Sequence, residues 1–275
     1  MAPHARVAER MSPHHDILPI FLCEQTDAGP LQPVAFLGTG FRLAHLLITC
    51  WHCVSEPPPE RHVIAALIAL EPGRYKGGLL KDLTQDENGS DLALAHLITE
   101  FPSRLDIDLA SQSDRVEWGT DVWTWGFPLT RRLLGPTGTP TFHLEARYLQ
   151  GYVTRAFHHE VAGYGEVPSF ELDLHAPEGL SGAPLIRAPS PSNPRAKIVG
   201  VVYGRSEVHA IEEFASIDPQ TGDRRPEVLR LVSFALAHLT PTLLEAKGPA
   251  TWGRPVGEIW QAWRASLPPT QAGHP

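Results

Sequence analysis

The chain of 275 residues has no polybasic run, and at a net charge of -8 with a pI near 5.9 it lacks the clustered Lys and Arg that displace counterions from phosphates. A nucleic-acid partner is therefore not expected. Long apolar runs are missing as well: no stretch approaches the ~20 apolar residues of a membrane span. The N-terminal "MAPHARVAERMSPHHDILPIFLC" lacks the continuous apolar core of a signal peptide. These absences predict a soluble, cytoplasmic protein without a membrane partner. Cysteine is scarce. Cys23, Cys50 and Cys53 are an odd number and cannot make a full disulfide framework, which fits a reducing compartment. The segment "CWHC", with Cys23 upstream, admits a zinc reading, since Cys and His are the usual ligands of structural zinc. No second closely spaced ligand pair of the right kind follows, and the alternative is three small buried hydrophobes.

What is present in quantity is short apolar runs of strand length separated by Gly, Pro, Asn and Asp. Among them are "VAFLGTGFRL", "LLITCWHCV", "DLALAHLI", "DVWTWGF", "SFELDLHA" and "KIVGVVYG", many with β-branched or aromatic residues. Frequent turn signals between them predict a closed or sandwiched all-β body. A hydrophobic content of 42% suffices for a core, in one large domain or two small ones. Helical periodicity is confined to the end of the chain. A strand from about residue 226 leads into "FALAHLTPTLLEAK", where Pro241 interrupts or restarts a helix. In "PVGEIWQAWRASL", Val256, Ile259, Trp260, Trp263 and Leu267 fall on one helical face, which docks either on its own protein or on a partner. Residues 187–196 read as a surface loop and 129–141 as a linker between two β units.

One short stretch, "HAPEGLSGAPLIR", sets Ser181 close between Gly179 and Gly182. Glycines allow strained backbone angles and a close approach by another molecule. A hydroxyl in such a turn suits a nucleophile whose neighbouring N–H groups receive an oxyanion, although the pattern is also an ordinary turn. A base and an orienting acid are then needed. His52 ends the apolar strand of "LLITCWHCV", and Asp91 enters the strand of "NGSDLALAHL". Each alone reads as a common surface, core or turn residue. Together they stand in the order His, Asp, Ser, each in a strand context.

On these residues the sequence resembles the trypsin-like (chymotrypsin-fold) serine peptidases, especially the bacterial HtrA-like and glutamyl-endopeptidase-like branches. "GTGF" is similar to the family's Gly-[Ser/Thr]-Gly-Phe strand, "LITCWHCV" to its histidine segment, and "SDLALAHL" to its Asp-Ile-Ala-Leu-Leu strand. "WTWGFP", "LQGYVTR", "LDLHAPEGLSGAPLI" and "IVGVVYG" follow in the family's order, so that the likeness spans about residues 17–240. The resemblance implies two six-stranded antiparallel β-barrels with a C-terminal helical extension. It divides the chain into 17–128 with His52 and Asp91, 141–240 with Ser181, and a tail at 241–275. It implies a serine endopeptidase acting on protein or peptide substrates without metal or organic cofactor. His52 would be the general base, Asp91 would hold its tautomer, and the N–H groups of Gly179 and Ser181 would form the oxyanion hole. The walls of the specificity pocket would include His175, Ala176, Val202, Tyr203 and Gly204, with Tyr203 against the substrate backbone. His175 and Arg205 favour an acidic or polar side chain there, and Glu207, Glu212 and Glu213 oppose it.

The departures matter too. Leu180 stands where zymogen-activated members carry an Asp, and no Arg-Ile-Val-Gly-Gly activation sequence exists, so the oxyanion loop must be ordered by packing or by a partner. Ala183 replaces the second Gly of Ser-Gly-Gly. By the same resemblance Cys53 keeps the cysteine after the histidine, but its usual disulfide partner position falls near Gly38. A regulated stress or defence protease with a regulatory protein partner is implied. The alternative is a protease-fold binding module that has lost catalysis.

Overall fold

A computed structural model describes residues 16–25, 31–71, 74–99, 107–128, 130–134, 140–161, 163–190, 194–213, 216–217, 224–225 and 228–267. Six strands come first: β1 (Ile17–Glu24), β2 (Gln32–Leu43), β3 (Leu46–Cys50), β4 (His62–Glu71), β5 (Arg74–Gln85) and β6 (Leu92–Ile98). They close into a barrel in the order β1-β2-β3-β6-β5-β4. Register explains the closure. Phe41 faces Ile48 and Ile48 faces Leu94, which makes one rung of three fully buried side chains across β2, β3 and β6. A slip by one residue would turn all three outward.

The second body contains β7 (Asp108–Leu109), β8 (Asp121–Gly126), β11 (Arg147–Val161), β12 (Gly165–Leu172), β13 (Pro184–Arg187), β14 (Lys197–Glu213) and β17 (Val228–Leu239). Their order is β13-β8-β11-β12-β17-β14-β7, and an added β13–β14 pairing closes the first six into a ring. The two-residue β7 lies parallel to β14 outside that ring. Two small hairpins complete the sheets. One pairs β9 (Arg131–Leu134) with β10 (Pro140–His143), and the other pairs β15 (Ser216–Ile217) with β16 (Arg224–Arg225). The stretch 129–141, expected to be a linker, thus carries a hairpin. Residues 129 and 135–139 of it lie outside the described set, as does Pro226.

The chain then enters helix α1 (Thr240–Glu245), with Pro241 in its first turn where a missing N–H costs nothing. Helix α2 (Val256–Ser266) follows. Its stripe docks on its own protein: Val256, Ile259 and Trp260 are buried and Trp263 packs beside them. They share one core cluster with Phe41 and Leu94 of the first barrel and Val201 and Leu236 of the second. Both barrels and the tail therefore bury one continuous apolar volume. No helix among the described residues is long and apolar enough to cross a membrane.

Candidate active site

The structure brings His52 and Asp91 into contact on the first barrel and sets the Ser181 loop of the second against Cys53, the residue next to His52. β3 ends at Cys50, and a single 3-10 turn over Trp51–Cys53 lifts His52 out of the barrel wall. Asp91 sits one residue before β6, beside that turn. The Asp91 carboxylate accepts the His52 backbone N–H at 2.9 Å and its ring Nδ1–H at 2.6 Å, while the Asp91 carbonyl accepts the Trp51 N–H at 2.9 Å. Three bonds thus fix one residue's place against another. Asp91 is 1% exposed, whereas the His52 side chain is 42% exposed and faces the cleft. In the neutral imidazole, Nδ1 donating to the carboxylate leaves Nε2 as the acceptor. Burial presses the imidazole pKa down, but the hydrogen bonds to Asp91 and Cys53 and the Asp91 charge outweigh it, and the pKa is held above its ordinary 6.5.

Ser181 arrives from the second barrel on a turn whose glycines are required by geometry. Gly179 has φ 91° and Gly182 φ 88°, in the left-handed region. A Cβ at Gly179 would meet the Phe36 ring at 2.6 Å, and one at Gly182 would strike the Thr39 carbonyl and the Thr49 hydroxyl. Thr39, fully buried on β2, grips the loop twice. Its N–H donates to the Ser181 carbonyl at 2.9 Å and its hydroxyl to the Gly179 carbonyl at 2.6 Å. Among the described residues, the N–H groups of Gly179 and Ser181 have no backbone acceptor. The Ser181 hydroxyl donates to the Tyr203 carbonyl at 3.3 Å.

A pocket of about 240 Å³ opens beside Ser181. Ala176, Val202 and Gly204 line it together with Leu180, Glu178 and Arg205, and Arg205 pairs with Glu207 at 2.8 Å. His175 is exposed and stands outside this lining. Tyr203 turns its ring inward: the side chain is buried, stacks on His238 at 4.5 Å and bonds Ser169 at 2.7 Å, so only its backbone borders the cleft. The side chains of Glu212 and Glu213 lie outside the described set. A larger hollow of about 710 Å³ lies beside α2, away from Ser181, and has no nucleophile–base pair in its wall.

Cys50, His52 and Asp91 present possible metal-ligand atoms within 4.8 Å of one another. The donor set fits a metal poorly. His52 Nδ1 and Asp91 are engaged with each other, and the Cys50 thiol donates to the Val202 carbonyl at 3.3 Å. Burial, and then the nearby Asp91, hold Cys50 well above the usual thiol pKa. Cys23 belongs to a separate cluster with Phe21 and Ala65.

Neither a protein-family model nor a curated protein sequence matches the chain. Among solved structures it is similar to the HtrA-type protease AlgW with decapeptide, at TM-score 0.53 and 13% identity, covering 96% of this chain and 68% of that one. The chain has the chymotrypsin-type double-barrel fold. It is also similar to the Rv3671c protease from M. tuberculosis in its active form (TM-score 0.49, 13% identity, 86% and 82% of the two chains) and to Deg5 (TM-score 0.48, 17% identity, 73% and 84%).

Within this double barrel the sequence reasoning missed two residues. Thr39 was visible only as part of "GTGF", with nothing in the pattern to show its bond to Gly179, which lies 140 residues away. Tyr164 sits at the tip of the β11–β12 hairpin between Gly163 (φ 85°) and Gly165 (φ 71°). Burial, and then the charge of Asp91, raise the pKa of its hydroxyl. The glycine-flanked "GYG" was the available signal.

Proposed function

We propose that the chain is a serine endopeptidase that cleaves protein or peptide substrates through an acyl-enzyme. The observation that supports this reading is the His52–Asp91 bond of 2.6 Å on one barrel, with a glycine-framed Ser181 on the loop of the other barrel that meets the neighbouring Cys53. Ser181 Oγ turns from the Tyr203 carbonyl toward His52 Nε2, which takes its proton as Oγ attacks the substrate carbonyl. Asp91 stabilises the imidazolium. The N–H groups of Gly179 and Ser181 receive the oxyanion, a contribution of roughly 3–4 kcal/mol per donor in comparable sites. The imidazolium returns its proton to the leaving amine, and water repeats the sequence on the acyl-enzyme. No metal or organic cofactor enters these steps.

The division into 17–128, 141–240 and 241–275, a cytoplasmic setting, and control by a regulatory protein partner in a stress or defence role belong to the same proposal. Ala176, Val202 and Gly204 would bound the pocket for the side chain preceding the cleaved bond, with His175 and Tyr203 contributing from its margin. A fluorophosphonate probe tests the reading. Covalent labelling at Ser181, lost in both His52→Ala and Ser181→Ala, is the expected result. Labelling that persists in Ser181→Ala would overturn the serine mechanism, and folded protein that takes up no label and cuts no peptide in a library would favour a binding module without catalysis.

A further inference from the structure

The segment Cys50-Trp51-His52-Cys53 sets the imidazole between two free thiols, and the proposed hydrolysis uses neither. Both sulfurs address one peptide unit. The Cys53 thiol donates to the Ser181 carbonyl at 4.0 Å. The Cys50 thiol donates to the Val202 carbonyl at 3.3 Å, and that carbonyl also accepts the Gly182 N–H at 2.7 Å. The Ser181 C=O and the Gly182 N–H are the two ends of the peptide bond that follows the nucleophile. One thiol therefore lies at the outer reach of a sulfur hydrogen bond to its oxygen, which also accepts the Thr39 N–H at 2.9 Å, and the other shares the acceptor of its N–H. Cys53 also lies against His52. On the opposite side a Cβ at Gly38 would meet its sulfur at 2.9 Å, so the sulfur fills the space beside the base with no room to spare.

The two cysteines stand at the two ends of one short turn. Cys50 caps the 3-10 turn in extended conformation (φ -84°, ψ 141°) and Cys53 closes it three residues later. The ends of such a turn lie under about 7 Å apart, which overlaps the window of about 4.4–6.8 Å between Cα atoms that a disulfide spans. The two thiols differ in access. Cys50 is fully buried, whereas Cys53 is only partly so and an oxidant entering the cleft meets it first.

We infer that Cys53 is a peroxide-reactive modification site resolved by Cys50, so that oxidation closes a disulfide beneath the nucleophile loop and displaces Ser181. This rests on the reading of Ser181 as nucleophile. The Cys53 sulfur attacks one oxygen of hydrogen peroxide; an S–O bond forms, the O–O bond breaks, and water leaves a sulfenic acid. The Cys50 sulfur then attacks the Cys53 sulfur; the S–S bond forms, and hydroxide departs with the Cys50 proton as a second water. The two cysteines lose two electrons and the peroxide gains them. Both S–H donors disappear, and drawing the two sulfurs together pulls Cys53 from the Ser181 carbonyl and Cys50 from the Val202 carbonyl, so that the peptide is left to the Thr39 and Gly182 N–H bonds alone. A nucleophile misplaced by about 1 Å loses on the order of a hundredfold in rate.

The experiment uses the full chain, reduced and then exposed to hydrogen peroxide. Peptide mass mapping after alkylation, amide exchange over residues 177–186 and fluorophosphonate labelling are read on the same samples. The inference expects a Cys50–Cys53 link with Cys23 still alkylated, faster exchange in 177–186, and labelling that falls about a hundredfold and returns with dithiothreitol. In Cys53→Ser, whatever its starting level, peroxide should change labelling no further. Cys50 and Cys53 both remaining alkylatable after peroxide would overturn the inference, and so would a link that leaves exchange over 177–186 unaltered. Failure of the reduced chain to label at all counts against the serine mechanism instead, and the mass and exchange readings then still decide whether the thiol pair moves the loop.

Discussion

The hydroxyl of Thr39, on the first barrel, donates to the carbonyl of Gly179, on the second, across 2.6 Å. The same hydroxyl accepts the Phe127 N–H at 3.1 Å, and the Thr39 N–H holds the Ser181 carbonyl at 2.9 Å. With Leu180 in place of an ion-pairing Asp, this clamp holds the loop proposed to receive the oxyanion by contacts between the barrels. Thr39→Val keeps the shape but leaves the Gly179 carbonyl and the Phe127 N–H unpaired, at a cost of about 1–3 kcal/mol each while they stay buried. We expect a lower melting temperature and a kcat reduced at least tenfold with KM little changed, as for an interaction made in the transition state (about 1.4 kcal/mol per decade). Thr39→Ser should restore most of kcat. Equal kcat in Thr39→Val and the parent would remove the clamp from the account.

Gly182→Ala adds one methyl group where the backbone has φ 88° and the Thr39 carbonyl and Thr49 hydroxyl already occupy the space. The left-handed conformation alone costs about 1–3 kcal/mol for a residue with a side chain, and the clash adds to it. Chemical denaturation should show a destabilisation above ~2 kcal/mol together with loss of Ser181 labelling. A variant as stable and as reactive as the parent would contradict the loop geometry.

Much of the site was legible because each residue announces its own strand context. "LLITC" is buried throughout and delivers His52 at its end, while "LALAHLI" pairs with it and delivers Asp91 at its start. The fold followed from the same runs. What stayed hidden depends on approach between distant segments: Thr39 on Gly179, Tyr164 on Asp91, and Tyr203 turned inward against His238. The hairpin at β9 and β10 was missed for another reason. All four residues of β9 are exposed, so no alternation marks the strand, and its partner is anchored by Phe142 packing edge-on against Phe21 at 5.0 Å. The tail stripe gave the right face but not its target, since a helical periodicity does not say what covers it.

The raised His52 pKa fixes the direction of pH dependence. As the proposed base, His52 must be neutral to accept the Ser181 proton, so kcat/KM should rise with pH through a limb above 6.5. Asp91→Asn removes the strongest raising contact while burial continues to lower the pKa, so the limb should move down and kcat should fall by about 10⁴. For stability the sign is opposite. A raised folded-state pKa stabilises fully below about 6.5, and that contribution is lost as pH rises through the folded value. A limb that Asp91→Asn leaves in place would show that another group titrates.

Truncation after Lys247 exposes the shared core beneath Val256, Ile259 and Trp260. At about 1.5–3 kcal/mol for each fully buried large apolar side chain, several kcal/mol should be lost. The tail also reaches the turn before Asp91, where the Lys247 N–H donates to Asp86 at 3.0 Å and the Asn88 side chain to the Glu245 carbonyl at 2.9 Å. We expect a large drop in melting temperature, with turnover per folded molecule retained if residues 244–247 stay in place. Unchanged stability would deny the tail its packing role.

Hydrolysis of an unfolded protein substrate by the reduced chain, measured beside Ser181→Ala of matched melting temperature, tests the central claim most directly. We predict cleavage by the parent, insensitive to chelator, and a rate at least ~10⁴-fold lower in the variant. Equal turnover by the two proteins would contradict the account.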